Sequence, residues 1–224
     1  MSSPPLLGVR GEAILEVAPE IVQLTITVTA RDPSRERTLE LLAKRSGECL
    51  DLLKGFGDAV ERIETSGLAV YPELRASGRR EQVRAYRGTV RVDVTVADFA
   101  ILGDLAARAA DGEMTTLSGP WWRLRRDSPV HRLARQDAAR DAIARAREYA
   151  EAVGGRLTGL VELADVGLTT EGRPPHAIAA AMARTANGGR REAAEPPPLE
   201  LEPQVQVVHA RVEARFTMSP PEEL

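Results

Sequence analysis

The sequence predicts an α+β protein built on antiparallel sheets, and two observations support this. Seven segments alternate apolar and polar residues with a period of two, and three amphipathic helical segments lie between them. The alternation is clearest in Ile21–Arg31 and Tyr86–Val96. A period of two places one strand face on a core and the other in water, which indicates antiparallel sheets rather than a doubly wound parallel one.

The first part of the chain predicts two strands and a helix. Strands Val9–Val17 and Ile21–Arg31 are separated by the turn Pro19-Glu20. Asp32-Pro33 predicts a helix start, because Asp accepts free backbone N–H groups at the N-cap and Pro has none to lose at N1. Gly55 is expected to end this helix. Its predicted inner stripe is Leu39, Leu42, Ser46, Cys49, Leu50 and Leu53.

A hairpin and a second helix are expected next. The third strand, Val60–Tyr71, leads through a polar turn at residues 76–80 into the fourth, Tyr86–Val96. Asp98 is a predicted N-cap for the helix that follows, which should stop near Gly112. The inner stripe of this helix is predicted to be Phe99, Leu102, Leu105, Ala106 and Ala109.

The remaining elements are a strand at Thr115–Leu124, a long helix and two further strands. Ser128-Pro129 opens the long helix, which continues to Val153. The last two strands are predicted at Leu160–Thr169 and Gln204–Met218. In the last strand the parity of the apolar residues changes at residues 208–209, which predicts a β-bulge there.

The order of these elements predicts the domain organisation. Residues 21–125 follow the βαββαβ order of a ferredoxin-like unit. Residues 1–20 with 126–224 are expected to form a second lobe, and the whole chain, residues 1–224, a single domain. Between the last two strands, residues 171–203 are long and rich in Pro and Gly, so we expect a mobile loop. Its centre, residues 177–186, could form a short helix on meeting a protein partner.

Composition excludes several classes of protein. A net charge of −3 at pH 7 gives no bulk attraction for nucleic acid. No apolar run approaches the roughly 18 residues of a membrane span, and the N-terminus has no signal-peptide pattern. Cys49 is the only cysteine, so an internal disulfide is impossible. The expected location is therefore the cytoplasm.

Four local patterns resemble one protein family. They are Gly8–Glu12 with Ala18–Glu20, Ile63–Gly67 with Val70–Pro72, Ala85–Val90, and Ala138–Gly155 followed by Leu157–Glu162. Their order and spacing resemble the SIMPL-domain family, which includes YggE-like and periplasmic immunogenic proteins; this chain resembles a member without an export leader. The resemblance implies an α+β fold, self-association into rings or higher oligomers, and loosely defined stress-related roles. It implies no catalytic residues.

The segment 121–126 holds both tryptophans and three arginines. Three interpretations are open: one Trp in the core with solvated arginines, an oligomer or partner interface, or a surface for nucleic acid or membrane. Strand parity places Trp122 with Leu124 and Trp121 with Arg123, so we predict Trp122 in the core and Trp121 at an interface. The candidate interface residues are Trp121, Arg123, Arg125 and Arg126.

Other candidate sites are weaker. His131, His176 and His209 are scattered without metal-ligand spacing, so no metal site is predicted. Cys49 lies on an apolar helix stripe and is expected to be an inert buried thiol. Gly8 and Gly11 precede a strand rather than a helix, so they are not expected to bind phosphate. No catalytic residue and no cofactor is predicted.

The preferred function is that of a non-enzymatic, homo-oligomeric interaction or scaffold protein. Sheets built of hairpins leave edge strands, and exposed edges favour pairing between copies. One alternative is a small-molecule-binding protein or unrecognised enzyme that uses a cleft between the lobes. Another is a nucleic-acid or membrane-surface binder that uses residues 121–126, although no nucleic acid is expected as a partner. The expected partners are further copies of this chain, and a protein partner for the loop 171–203 is left open.

Overall fold

The structure, a computed structural model, describes residues 4–77, 80–166 and 201–221, without the side chains of 75–82. The described residues form seven strands and three α-helices. In chain order these are β1 (Leu6–Val17), β2 (Ile21–Asp32), α1 (Arg35–Lys54), β3 (Val60–Ser77), β4 (Arg80–Val96), α2 (Leu102–Ala110), β5 (Thr115–Arg123), α3 (Pro129–Ala152), β6 (Leu157–Asp165) and β7 (Gln206–Met218). Their helices and antiparallel sheets confirm the predicted α+β class.

The chain divides into two compact units. Unit 1 contains residues 1–17, 126–191 and 207–224, and unit 2 contains residues 18–125 and 192–206. The predicted loop over 171–203, its helical centre and His176 fall outside the described residues, apart from residues 201–203.

Unit 2 is the ferredoxin-like unit. Its four-stranded sheet has the order β3-β4-β2-β5, and every neighbouring pair is antiparallel. The inward-facing residues of the two central strands, β2 and β4, form the core with α1 and α2. These inward-facing residues are Val22, Leu24, Ile26, Val28, Ala30, Val90, Val92, Val94 and Val96. Full burial of a Val, Leu or Ile side chain stabilises the fold by about 1.5–3 kcal/mol.

Helix α1 begins later than predicted. Asp32 is not its cap, because Asp32 still belongs to β2 and lies opposite Tyr86 of β4. Ser34 is the N-cap, and its hydroxyl accepts a hydrogen bond from the N–H of Arg37. The Asp32 carboxylate instead accepts the N–H of Ser34 at 2.8 Å, so it orders the turn before the helix.

The inner stripe of α1 also differs at one position. Leu39 is exposed, and Thr38 is fully buried in its place. The Thr38 hydroxyl donates to the Ser34 carbonyl at 2.8 Å, so burial leaves no polar group unsatisfied. The stripe of α2 is confirmed: Leu102, Leu105, Ala106 and Ala109 are buried, and Phe99 packs against the core from the turn that Asp98 caps.

The β3–β4 hairpin is longer than predicted. β3 continues past Tyr71 to Ser77, and β4 begins at Arg80 rather than at Tyr86. The polar sequence there reads as a turn, but a backbone hydrogen-bond ladder does not require apolar side chains. β2 pairs with β4 only from Tyr86 onward, so the end of the hairpin extends beyond the pairing with β2.

Unit 1 packs α3 on a three-stranded sheet of order β1-β7-β6. β7 is antiparallel to β6. It is also antiparallel to β1, because two ion pairs join the strands in opposite chain directions: Arg10 pairs with Glu213, and Glu12 pairs with Arg211. Ser128 caps α3 and Pro129 opens it, as predicted. From Ala134 to Ala150, every fourth residue of α3 is an alanine that is completely or almost completely buried. These residues are Ala134, Ala138, Ala142, Ala146 and Ala150.

The last two strands correct two predictions. β6 runs from Leu157 to Asp165 instead of starting at Leu160. β7 carries no bulge at residues 208–209: its buried residues share one parity, while Val207 points outward and is 51% exposed. The register shifts lie in β6, where Thr158 and Val161 are the extra residues. The exposed valines before and at the start of β7 mimic a parity change because they are apolar without being buried.

Candidate functional site

Trp122 lies in the core of unit 2, as the parity of β5 predicts. It is 8% exposed, and its ring meets the Phe99 ring edge-on, with centroids 4.9 Å apart and an interplanar angle of 80°. This T-shaped contact is one of the two favoured aromatic geometries and adds about 0.5–1.5 kcal/mol to the burial of the rings. The side chain is therefore structural.

Trp121 points to the opposite face of the sheet and is 44% exposed. It lies opposite Gln23 of β2, whose side-chain oxygen accepts the Nε–H of Arg123 at 3.0 Å. The indole lines a polar groove of about 200 Å³ together with Thr25 and Asp93, whose side chains share a 2.7 Å hydrogen bond. Trp121 and Arg123 are thus neighbours on one surface.

The other two candidate residues lie beyond the end of β5. The Arg125 guanidinium pairs with the Glu61 carboxylate, and the backbone N–H of Arg125 donates to the Glu20 carboxylate at 2.9 Å. Arg125 therefore ties β3 and the start of β2 to the end of β5. Arg126 is exposed and belongs to unit 1.

The two central strands of the sheet in unit 2 are polar on their outward face. The two central strands present Thr25, Thr27, Thr29, Thr89 and Thr95 on it, together with Arg87, Arg91 and Asp93. RNA-binding sheets of this topology stack bases on aromatic residues. The outward-facing residues of β2 and β4 include no aromatic side chain among those described, and Trp121 lies on the edge strand β5.

A second exposed surface, missed by the sequence analysis, lies on β6 of unit 1. β6 is an edge strand among the described residues, and Leu160, Val161 and Leu163 are 58%, 55% and 51% exposed. Leu160 and Leu163 lie opposite the buried Phe216 and Ala214 of β7, so they point to the same side of the sheet as α3. Apolar residues in a strand normally indicate burial. The exposure of these side chains could not be predicted, because nothing in the sequence shows that α3 covers only part of the sheet.

The remaining candidates do not converge. His131 is half-buried on the first turn of α3 and His209 is exposed on β7. The described residues contain no group of three or more His, Cys, Asp or Glu side chains placed to hold a metal ion. Cys49 is half-buried against the core, and burial raises the pKa of its thiol.

The fold defines an α+β protein with a ferredoxin-like unit and a unit of three strands and one helix. Residues 7–216 match the family described as "SIMPL: Protein of unknown function (DUF541)". The chain therefore belongs to the SIMPL family, as the sequence resemblance indicates.

Similar proteins include the 26 kDa periplasmic immunogenic proteins of Brucella melitensis biotype 1 and Brucella abortus strain S19. Each is 24% identical over 184 residues, which cover 78% of this chain and 70% of the relative. Among the described residues, no helix has both the length and the apolarity to cross a membrane.

Proposed function

We propose that this SIMPL-family protein acts by self-association, as a non-enzymatic interaction protein. The observation that carries the proposal is the apolar, exposed edge of β6. An edge strand presents unpaired N–H and C=O groups that can pair with another chain, and proteins protect such edges with Lys, other charges, Pro or bulges.

The edge strands differ in this protection. β3 contains Arg62 and Pro72, and β5 contains Pro120 and Arg123. β1 contains one Arg and two Glu. β6 has two bulges and two acidic residues, Glu162 and Asp165, but no Lys, Arg or Pro, and Glu162 pairs with Arg215 of β7. Three exposed apolar side chains lie within four consecutive residues of this edge strand, at Leu160, Val161 and Leu163.

A second copy of this chain is the occupant that we propose for the β6 edge. Two identical edge strands pair antiparallel about a two-fold axis, and each then satisfies the backbone groups of the other. Covering Leu160 and Leu163, both more than half exposed, contributes on the order of 1 kcal/mol for each side chain.

A two-fold contact alone ends at a dimer, so any larger assembly requires a second surface. We propose Trp121 for this contact, because an exposed Trp beside an Arg is typical of interaction hot spots. Higher oligomers agree with what the family resemblance implies. We further propose that both units belong to one domain, because the family match runs through both of them.

The cellular setting is a separate part of the proposal. The sequence predicts a cytoplasmic protein, whereas the relatives are named as periplasmic. Fractionation of cells that express the untagged chain distinguishes the two compartments. A stress-related role, implied by the resemblance, predicts that a deletion strain is more sensitive than its parent to at least one envelope or oxidative stress.

The test of self-association is the mass of the native particle, measured by light scattering. We expect a mass above that of one 24.3 kDa chain. Leu160→Lys combined with Leu163→Lys should lower that mass, because two buried charges oppose pairing at β6. Leu133→Lys is the matched control, since Leu133 is 45% exposed on α3 rather than on a strand edge. A monomeric wild type, or a double variant with wild-type mass, overturns the proposal.

A further inference from the structure

A pocket of about 190 Å³ lies between α1 and α2 in unit 2. Its apolar lining consists of Leu41, Cys49 and Leu52 from α1 and Ala109 from α2. A cavity of about 150 Å³ with an apolar lining is large enough to bind benzene. The pocket therefore has room for an apolar group of the size of one aromatic ring. It has no part in the proposed assembly.

The rim of the pocket is charged. Lys44, Arg45 and Arg108 line it, against Glu48 and Glu113. Each of the three cations is paired with a carboxylate, so a ligand with one negative charge must take the place of one of these pairs.

Two of the three cations already have fixed partners. Arg45 binds the Glu113 carboxylate at 2.6 Å and donates to the Thr29 carbonyl at 3.0 Å. Arg108 pairs with Asp104 at 3.1 Å, and its guanidinium carbon lies 5.4 Å from the centre of the Phe56 ring. Arg45 is 18% exposed and has two partners, and the Arg108 guanidinium contacts both Asp104 and the Phe56 ring, so each arginine is held by two contacts.

Lys44 is the cation that can turn. Its ion pair is with Glu48, at 3.8 Å, and the two side chains are 74% and 65% exposed. An exposed ion pair of this kind is weak, because water screens both charges, so a ligand carboxylate can take the place of Glu48 as the partner of Lys44. The long side chain of Lys44 allows its ammonium group to follow a bound anion.

We propose that this pocket binds a small monocarboxylate with an apolar body, such as an aromatic or short aliphatic acid. The apolar body lies on Leu41, Cys49, Leu52 and Ala109, and the carboxylate pairs with Lys44. The binding is reversible and involves no reaction. It is a property of unit 2 that stands independently of self-association through β6.

The chain provides its own reporter and its own control for this site. Cys49 is the single cysteine, so thiol labelling of the native protein reads out the lining of this pocket alone. Lys44 and Lys54 are the only lysines. Both lie on α1 and both are largely exposed, but Lys54 is not part of the pocket. Lys54→Gln is therefore the matched control for Lys44→Gln.

The experiment measures the labelling rate of Cys49 in the full chain with benzoate, benzyl alcohol or benzylamine, at constant ionic strength. We expect benzoate at about ten times its dissociation constant to slow labelling by about tenfold. The alcohol and the amine, which have the same ring, should slow it by less than about twofold at that concentration, since they lack the carboxylate. Lys44→Gln should lose most of the benzoate effect, and Lys54→Gln should keep it.

Light scattering in parallel should show that benzoate leaves the particle mass unchanged, which separates pocket binding from assembly. A labelling rate that benzoate does not alter overturns the proposal. Equal protection by all three compounds overturns the assignment to carboxylates, and equal loss of protection in the two lysine variants overturns the role of Lys44.

Discussion

Gly11 of β1 lies so close to Ala138 of α3 that no side chain fits between them. A Cβ atom on Gly11 would be 2.0 Å from the Ala138 carbonyl oxygen and 2.6 Å from the Ala142 backbone nitrogen. The next residue confirms the close approach, since the backbone N–H of Glu12 donates to the Asp141 carboxylate at 2.9 Å. Gly11 is thus required by the packing of α3 on the sheet, whereas Gly8 is not.

Gly11→Ala should therefore destabilise the protein by more than about 3 kcal/mol, because the clash is with backbone atoms that cannot rotate away. Gly8→Ala is the control in the same strand, where a Cβ would meet nothing within 4 Å. We expect that control to change the free energy of unfolding by no more than about 0.5 kcal/mol. Urea denaturation measures both, and equal midpoints for the two variants would contradict this view of the β1–α3 contact.

The two adjacent tryptophans should separate stability from assembly. Trp122→Ala removes a buried ring and its contact with Phe99, and should cost about 3–5 kcal/mol of stability. Trp121→Ala should keep the melting temperature close to that of the wild type and reduce the particle to the β6-linked dimer. Melting curves and native mass test both statements. A Trp121→Ala particle of wild-type mass shows that Trp121 makes no contact in the assembly.

Thr38 and Leu39 test the corrected face of α1. Thr38→Val removes the hydroxyl that donates to the Ser34 carbonyl and should cost about 1 kcal/mol, although it adds apolar surface at a fully buried site. Leu39→Ala should cost less than about 0.5 kcal/mol, since Leu39 is 43% exposed. Chemical denaturation measures both free energies of unfolding. A larger loss of stability for Leu39→Ala than for Thr38→Val would show that Leu39, as expected from the sequence, lies on the inner stripe of α1.

Cys49 should label slowly in the native protein near neutral pH. Burial raises the pKa of its thiol, and the thiolate is the reactive form. The pH of half-maximal labelling should lie above that of the denatured chain, where the thiol has its ordinary pKa of about 8.5. Thiol-labelling rates measured from neutral to alkaline pH, in the absence and presence of denaturant, give the two values. Identical pH profiles would show that the thiol is not desolvated.

The same shift affects stability with a definite sign. The raised pKa means that the neutral thiol favours the folded state. Its contribution to the free energy of unfolding is fully present below the unfolded-state pKa of Cys49 and is lost as pH rises through the folded-state pKa.

Much of the fold could be predicted from the sequence because the strongest signals are local. The alternation in β2 and β4 and the Ser128-Pro129 start of α3 depend on side chains within one element. The start of α1 could not be predicted, since Asp32 and Ser34 are both good caps and the pairing of Asp32 with Tyr86 decides between them. The supposed bulge in β7 arose from apolar residues that are not buried.

The candidate site was less predictable, because parts of it depend on contacts between elements that are distant in the sequence. Trp121 and Trp122 alternate between faces, as any strand must, so their positions followed from parity. The position of Arg125 did not follow from parity, because the strand ends at Arg123 and the Arg125 guanidinium pairs with Glu61. The exposed edge of β6 depends on how far α3 reaches across the sheet, which is a property of the folded unit.

The strand order β1-β7-β6 has a consequence for biosynthesis. β1 is made first and β7 last, yet β7 is the central strand that both β1 and β6 need as their neighbour. The six ferredoxin-like elements of unit 2 come from one continuous stretch, and these elements can fold while the ribosome is still translating α3. Strand β1 must wait for its partner until all the other described helices and strands have been synthesised. The sheet of unit 1 can therefore assemble only after β7 has left the ribosome.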